Sequence, residues 1–177
     1  MIKRKFQKGD AASEAWYSDC ETYRYSLTRI WDNKKPRVAF VMLNPSKATE
    51  IQNDPTIERC ERRARILGFG GFRAVNIFAL RETSPRLMRQ HKSPEGPENK
   101  QVLRDSCGWA QKIIAAWGVH GAHLDQGKAT CSLLLEAGKE VYHLGLTKDG
   151  HPRHPLYIRY AQQPEPWPIN PLKTGDL

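Results

Sequence analysis

The sequence predicts one α/β domain, a three-layer sandwich whose mainly parallel central sheet carries helices on both faces and is preceded by an N-terminal hairpin. Three observations lead there. Apolar, β-branched runs alternate with segments of helical spacing, and that alternation implies crossover connections between parallel strands. The run Val38-Ala39-Phe40-Val41-Met42-Leu43 is apolar at every position, as a strand covered on both faces should be. At 177 residues the chain is long enough for one core that withdraws roughly 70% of the unfolded surface from water, and too short for two.

The elements follow in order. Residues 22–27 and 37–43 are rich in aromatic and β-branched types, and Asp32-Asn33-Lys34-Lys35-Pro36 between them carries turn residues, which predicts a hairpin. Asp54-Pro55 then opens a helix with an N-cap acid and a proline at the first helical position, and Gly68 is placed to stop it. Ile57, Cys60, Ala64 and Leu67 recur on one side of that helix. Arg59, Arg62 and Arg63 fall elsewhere, as a solvated basic face or a phosphate-contacting one. Strand and helix alternate again: a strand over 72–80, a helix near 97–107, a strand over 113–117, a helix near 128–137 closed by Gly138, and a strand over 141–146. A last strand is possible at 156–160. The proline-rich tail, about residues 161–177, should be an irregular wrap.

Composition narrows the function. Lys and Arg exceed Asp and Glu by 28 to 19, a net charge of +9, which concentrates polyanions around the protein. Nucleic acid or a nucleotide is the partner class this fits, and solubility charge alone is the simpler alternative. No apolar run approaches the roughly 20 residues of a membrane span. The start Met1-Ile2-Lys3-Arg4-Lys5-Phe6 has no apolar stretch behind it, so a cytoplasmic location without membrane attachment is expected. Cys20, Cys60, Cys107 and Cys131 lie far apart with no paired spacing; reduced, buried thiols, no metal and no cofactor are expected.

In an open α/β sheet, ligands bind beyond the carboxyl ends of the strands. Those ends are chemically distinctive here. The first reads Leu43-Asn44-Pro45-Ser46, the second has Asn76 within Val75-Asn76-Ile77-Phe78, and the third ends in Trp117-Gly118. The fourth leads into Gly150-His151-Pro152-Arg153-His154-Pro155-Leu156. Each has a plain structural reading: Asn44-Pro45-Ser46 as a strand stop, Trp117 as core, Asp54 as a helix cap, a loop histidine as framework. Asn76 is harder to explain that way, because an amide buried without partners in an apolar strand costs roughly 1–3 kcal/mol. The segment 81–86 could cradle phosphate but lacks the glycines of a nucleotide-triphosphate loop.

Taken in order, these motifs, from Tyr23-Arg24-Tyr25-Ser26-Leu27 through Tyr157, resemble the domain-of-unknown-function 1643 family of bacteria and phages. More distantly, their order is similar to that of the uracil-DNA-glycosylase superfamily. That resemblance implies a uracil-DNA-glycosylase-like fold and a pocket that hydrolyses an N-glycosidic or related bond of a modified base in nucleic acid. Asn44 would hold the attacking water beside Pro45 and Ser46, Asn76 would read the base edge, and Trp117-Gly118 would form the third strand end. His151 or His154 would stabilise charge on the leaving base, and Leu156 would be the wedge. Phe78 or Trp117 would stack on the flipped base, with Phe69 and Phe72 as further candidates, and Arg153 would face the nucleic-acid backbone. Asn44 stands where the most active branches carry a carboxylate, and an amide cannot accept the proton; Asp54 is the nearest acid, provided the loop between them folds back. Some branches hold an iron–sulfur cluster, but their closely spaced cysteine pair is missing here. The alternatives are a non-catalytic binding module for nucleic acid or modified nucleotides, and an enzyme of free nucleotides.

Overall fold

The computed structural model describes residues 1–169. In chain order the elements are β1 (Ile2–Lys8), β2 (Ala11–Tyr17), β3 (Arg24–Ile30), β4 (Arg37–Met42), α1 (Pro55–Ile66), β5 (Gly71–Asn76), α2 (Pro85–Gln90) and α3 (Asn99–Trp109). Then come β6 (Lys112–Ala116), a 3-10 segment (Val119–Asp125), α4 (Gln126–Glu136), β7 (Val141–His143), a 3-10 turn (Pro155–Tyr157) and β8 (Glu165–Pro166). All the strands join one sheet in the order β1-β2-β3-β5-β4-β6-β7-β8.

This is a mixed α/β sheet, and the mainly parallel expectation needs correction. The pairs β5–β4, β4–β6 and β6–β7 are parallel, while β1–β2, β2–β3, β3–β5 and β7–β8 are antiparallel. The hairpin expected over 22–43 is also not formed, because β5 lies between β3 and β4. Close approach of backbone at two glycines permits this. Gly70 accepts from both Trp31 N and Asp32 N at 2.9 Å, and its own N donates to the Pro36 carbonyl at 2.8 Å. A Cβ on Gly70 would lie 2.0 Å from the Asp32 carbonyl oxygen, and one on Gly71 2.7 Å from that of Arg29. Only glycines let the start of β5 thread between the two strands.

The hairpin at the N-terminus is instead β1–β2, in register from Ile2 opposite Tyr17 to Lys8 opposite Ala11. β1 is a basic edge strand that is almost wholly exposed, a common protection of a sheet edge.

β4 occupies the middle of the parallel region as its apolar run requires. Ala39 and Val41 pack on one face with Val102, Leu103 and Cys107 of α3 and Leu133 and Leu134 of α4. Val38, Phe40 and Met42 pack on the other with Ile57, Cys60 and Ala64 of α1. Helices therefore cover both faces, and full burial of a side chain such as Phe40 contributes about 1.5–3 kcal/mol.

Asp54 caps α1 as expected, its Oδ1 accepting from Ile57 N at 2.9 Å. The basic face of this helix is not a free one. Arg63, 1% exposed, donates to the carbonyls of Ile158, Arg159 and Gln162, and Arg59 donates to that of Ile158. With Arg62 they crowd around the Tyr160 ring, at 4.4 to 5.6 Å from its centroid. These arginines anchor the late chain on α1. No strand forms at 156–160, because the proline at position 155 starts a 3-10 turn and removes a ladder donor. The tail expectation is tested only to residue 169; the rest lies outside the described residues. Within them, β8 forms a short antiparallel pair with β7.

Cys60, Cys107 and Cys131 are buried, and burial pushes all three thiols up, Cys131 to about 12. Cys20 is exposed, against expectation, and hydrogen bonds with Ser18 and Thr22 hold it down at about 7. Among the described residues no helix is long and apolar enough to cross a membrane.

Candidate functional site

The parallel register sets three strand ends at one level. Met42 pairs with Asn76 on one side and Ala116 on the other. The residues that follow, Asn44 after β4 and Trp117-Gly118 after β6, therefore sit beside Asn76. β3 runs the opposite way and brings Arg24 to the same end, its N donating to the Ala79 carbonyl at 2.9 Å. Above these ends lies a cavity of about 490 Å³, a size suited to a small ligand.

Eight of the expected residues line this cavity: Asn44, Ser46, Asp54, Asn76, Trp117, Gly118, His154 and Leu156. Four do not. Pro45 is buried behind Asn44, its carbonyl accepting from Glu82 N at 2.9 Å. Phe78 is fully buried in the core, 5.7 Å from the His123 ring, because its N bonds to the Leu43 carbonyl and turns the chain inward. His151 lines a separate small crevice with Trp167. Arg153 is exposed and outside the cavity lining. Phe69 and Phe72 belong to the core face beneath α1, so Trp117 is the one proposed stacking residue in the cavity wall.

Backbone contacts set where the two loop histidines stand. Gly118 N donates to the Pro152 carbonyl at 2.8 Å and Arg153 N to the Gly145 carbonyl at 3.0 Å, while Thr147 N binds the His151 carbonyl at 2.8 Å. Gly118, with φ of +70°, and Gly145, with φ of +106°, adopt conformations that suit glycine. The loop is thereby pinned with position 154 over the cavity and position 151 turned away.

Asn76 is 1% exposed, and neither its Nδ2 nor its Oδ1 has a hydrogen-bond partner. Leaving both unpaired costs on the order of 1–3 kcal/mol for each group. Asn44 is held differently. Its Nδ2 donates to the carbonyls of Glu82 at 2.6 Å, Pro45 at 3.2 Å and Leu80 at 3.4 Å. The amide is oriented by its nitrogen, which leaves its oxygen as the acceptor.

The loop from Asn44 to Asp54 does fold back. Ala48 N donates to Asp54 Oδ2 at 3.3 Å, and Thr49 N to the Gln52 carbonyl at 2.9 Å. Asp54 thus caps α1 and lines the cavity at once. His154 Nδ1 accepts from Leu156 N at 3.4 Å, so in the neutral ring the proton sits on Nε2. Burial pushes this imidazole's pKa below its usual value, against the opposing pull of the Asp54 charge.

Sequence reasoning missed several lining residues. Arg24, 1% exposed, donates through Nη1 to the Ala48 carbonyl, while its Nε has no partner. Burial lowers its pKa to about 10, with the Asp54 charge working to raise it. Glu82, Thr83 and His120 also line the cavity. The Glu82 carboxylate accepts from Thr83 N at 2.8 Å and Ser84 N at 3.0 Å, which folds segment 81–86 into a rim. His120 Nδ1 lies 3.1 Å from Arg89 Nη1, and burial, then the Arg89 charge, lowers its pKa. The available signal for Arg24 was its place at the start of a strand read from aromatic and β-branched residues, and Glu82 and Thr83 fall in the segment 81–86 read as a candidate phosphate cradle; nothing local marks His120. Among the described residues no cluster of three or more His, Cys, Asp or Glu side chains is placed to hold a metal ion.

Fold and cavity together define a mixed α/β protein with a ligand-sized pocket at the carboxyl ends of its parallel strands. Residues 24–156 match the family described as protein of unknown function (DUF1643), and since the match spans more than half of the chain, the protein belongs to that family. No curated protein and no solved structure matches it.

Proposed function

We propose that the cavity recognises one nucleobase, carried by a nucleic acid or a nucleotide, and that the protein hydrolyses the N-glycosidic or a related bond of that base in the manner of the uracil-DNA glycosylases. The observation that carries this reading is the Asn76 amide. A donor and an acceptor, side by side and both unpaired in the wall of the cavity, match the edge of a pyrimidine or purine. Trp117 offers an aromatic wall, and Leu156, also in the cavity lining, is the residue we assign to the space left by an extruded base.

The chemistry follows from the groups present. Water, accepted by Asn44 Oδ1, attacks the anomeric carbon and gives its proton to Asp54. The carbon–nitrogen bond breaks, its electron pair stays on the base, and Nε2–H of neutral His154 donates to the developing anion. Asp54 thus supplies the carboxylate that Asn44 lacks.

One observation favours a second reading, a binding module without turnover. Both Asp54 oxygens already accept backbone N–H groups, from Ile57 and Ala48, so the carboxylate is occupied in holding the chain around the start of α1. An abasic-site assay beside a binding titration separates the two. Turnover that Asp54→Asn abolishes while base affinity persists supports the hydrolase. Binding with no turnover supports the module, and no affinity for any base or nucleotide contradicts both.

A further inference from the structure

Beside the cavity, and sharing Ser46, Glu82 and Thr83 with it as a common wall, runs an open trough of about 620 Å³. Its other lining residues include Lys47 and Arg81, with Thr22 between. Neither cation makes an ion pair among the described residues. Arg81 uses Nη1 on the Glu21 carbonyl at 3.0 Å, and its buried Nε has no partner. Lys47 is exposed.

Of the acids facing the trough, Glu21 is neutralised by an ion pair and Glu82 is bound by neutral donors alone. The Glu21 carboxylate pairs with Arg4, and that of Glu82 is held by Thr83 and Ser84. Arg24 lines the neighbouring cavity and not the trough. The trough therefore offers the exposed Lys47 ammonium, the Arg81 guanidinium with its Nη1 on the Glu21 carbonyl and its face over the Tyr17 ring, and the hydroxyls of Thr22 and Ser46. Guanidinium, ammonium and hydroxyl donors converging on one open surface match a phosphate.

We propose that this trough binds the phosphate attached to the base held in the cavity, so that the ligand is a nucleotide unit and not a free base or nucleoside. The inference rests on the base-recognition reading and names the substrate class for the same site.

Calorimetric titration of the full chain with the common nucleosides, and with their 3′- and 5′-monophosphates, tests it. One monophosphate should bind about tenfold or more tighter than its nucleoside. Lys47→Ala and Arg81→Gln should each reduce that advantage to about threefold or less and flatten its salt dependence. Because Arg81 also holds a backbone carbonyl, thermal melts accompany its variant, and exposed Lys47 supplies the variant that keeps the fold. Equal affinity for nucleoside and monophosphate overturns the proposal and leaves base recognition standing. So does a phosphate advantage that survives both substitutions. Binding of no nucleoside and no nucleotide overturns both readings. A short single-stranded oligonucleotide carrying the preferred base identifies the source of the phosphate: tighter binding than the monophosphate assigns it to a polymer, weaker binding to a free nucleotide.

Discussion

The side-chain amide of Asn99 donates to the backbone carbonyl of Asn76 at 2.9 Å and to that of Ile77 at 3.2 Å. A buried residue of α3 thus fixes the backbone from which the unpaired Asn76 amide projects. Gln126 adds a third donor, its Nε2 reaching the Ile77 carbonyl at 3.1 Å. The geometry of the cavity wall depends on these contacts from the helical layer.

Asn99→Ala should therefore act on both stability and binding. Two buried carbonyls lose a donor, which should lower unfolding free energy by about 1–3 kcal/mol in a urea titration. Nucleotide affinity should fall as well, although Asn99 is not among the residues that line the cavity. A variant as stable as the parent, with unchanged affinity, would show that the backbone of Asn76 holds its place without this support.

The glycines at 70 and 108 should respond in opposite ways to alanine. At Gly70 a Cβ meets the Asp32 carbonyl oxygen at 2.0 Å, whereas at exposed Gly108 within α3 it meets nothing within 4 Å. Gly70→Ala should cost about 3 kcal/mol or more. Gly108→Ala should stabilise by about 0.5–1 kcal/mol through helix propensity. Thermal melts of the two variants check the threading of β5 between β3 and β4 directly.

That threading also marks how far the sequence could be read. The double-sided apolar run of β4 and the Asp54-Pro55 start of α1 are local signals, and both elements stand where they were expected. The position of β5 between β3 and β4 depends on contacts among residues 29, 32 and 70, which no local pattern displays. β1 was invisible for a different reason: Ile2–Lys8 is an edge strand with no buried face, so no apolar alternation marks it. In the cavity, polar residues at the ends of parallel strands could be found by position. The choice between His151 and His154, and the inward placement of Arg24, are set by bonds to distant backbone groups and could not.

Acidification should destabilise the fold through its buried and half-buried histidines. Burial lowers the pKa of His154, His143 and His120 in the folded protein. The unfolded chain therefore binds more protons than the folded one once pH falls below the ordinary histidine value, about 6.5. Stability is full above that value and is lost as pH falls through the lowered folded pKa values. Melting temperatures between about pH 8 and about pH 5 should show the decline. His154→Asn, which keeps an acceptor for Leu156 N, should make it shallower. A profile unchanged by this substitution would mean that His154 titrates as it does in the unfolded chain.

Arg63→Met should release the late chain from α1. Its guanidinium binds three carbonyls of residues 158–162, and methionine fills similar space without a donor. Limited proteolysis should then cut near these residues at enzyme concentrations that leave the parent intact, with stability lowered by about 2–4 kcal/mol. Unaltered protease resistance would assign the attachment of this segment to Ile158 and Tyr160 packing alone.

The most direct test of base recognition is the affinity of Asn76→Ala for the nucleotide that the parent binds. Apolar neighbours on both sides hold β5, and the amide has no protein partner to lose, so the fold should be preserved, with a melting temperature equal to or above the parent's. Affinity should nevertheless fall by about 1–3 kcal/mol, the worth of a paired donor and acceptor on a base edge. An Asn76→Ala protein that is folded and binds the same nucleotide as tightly as the parent would contradict the account.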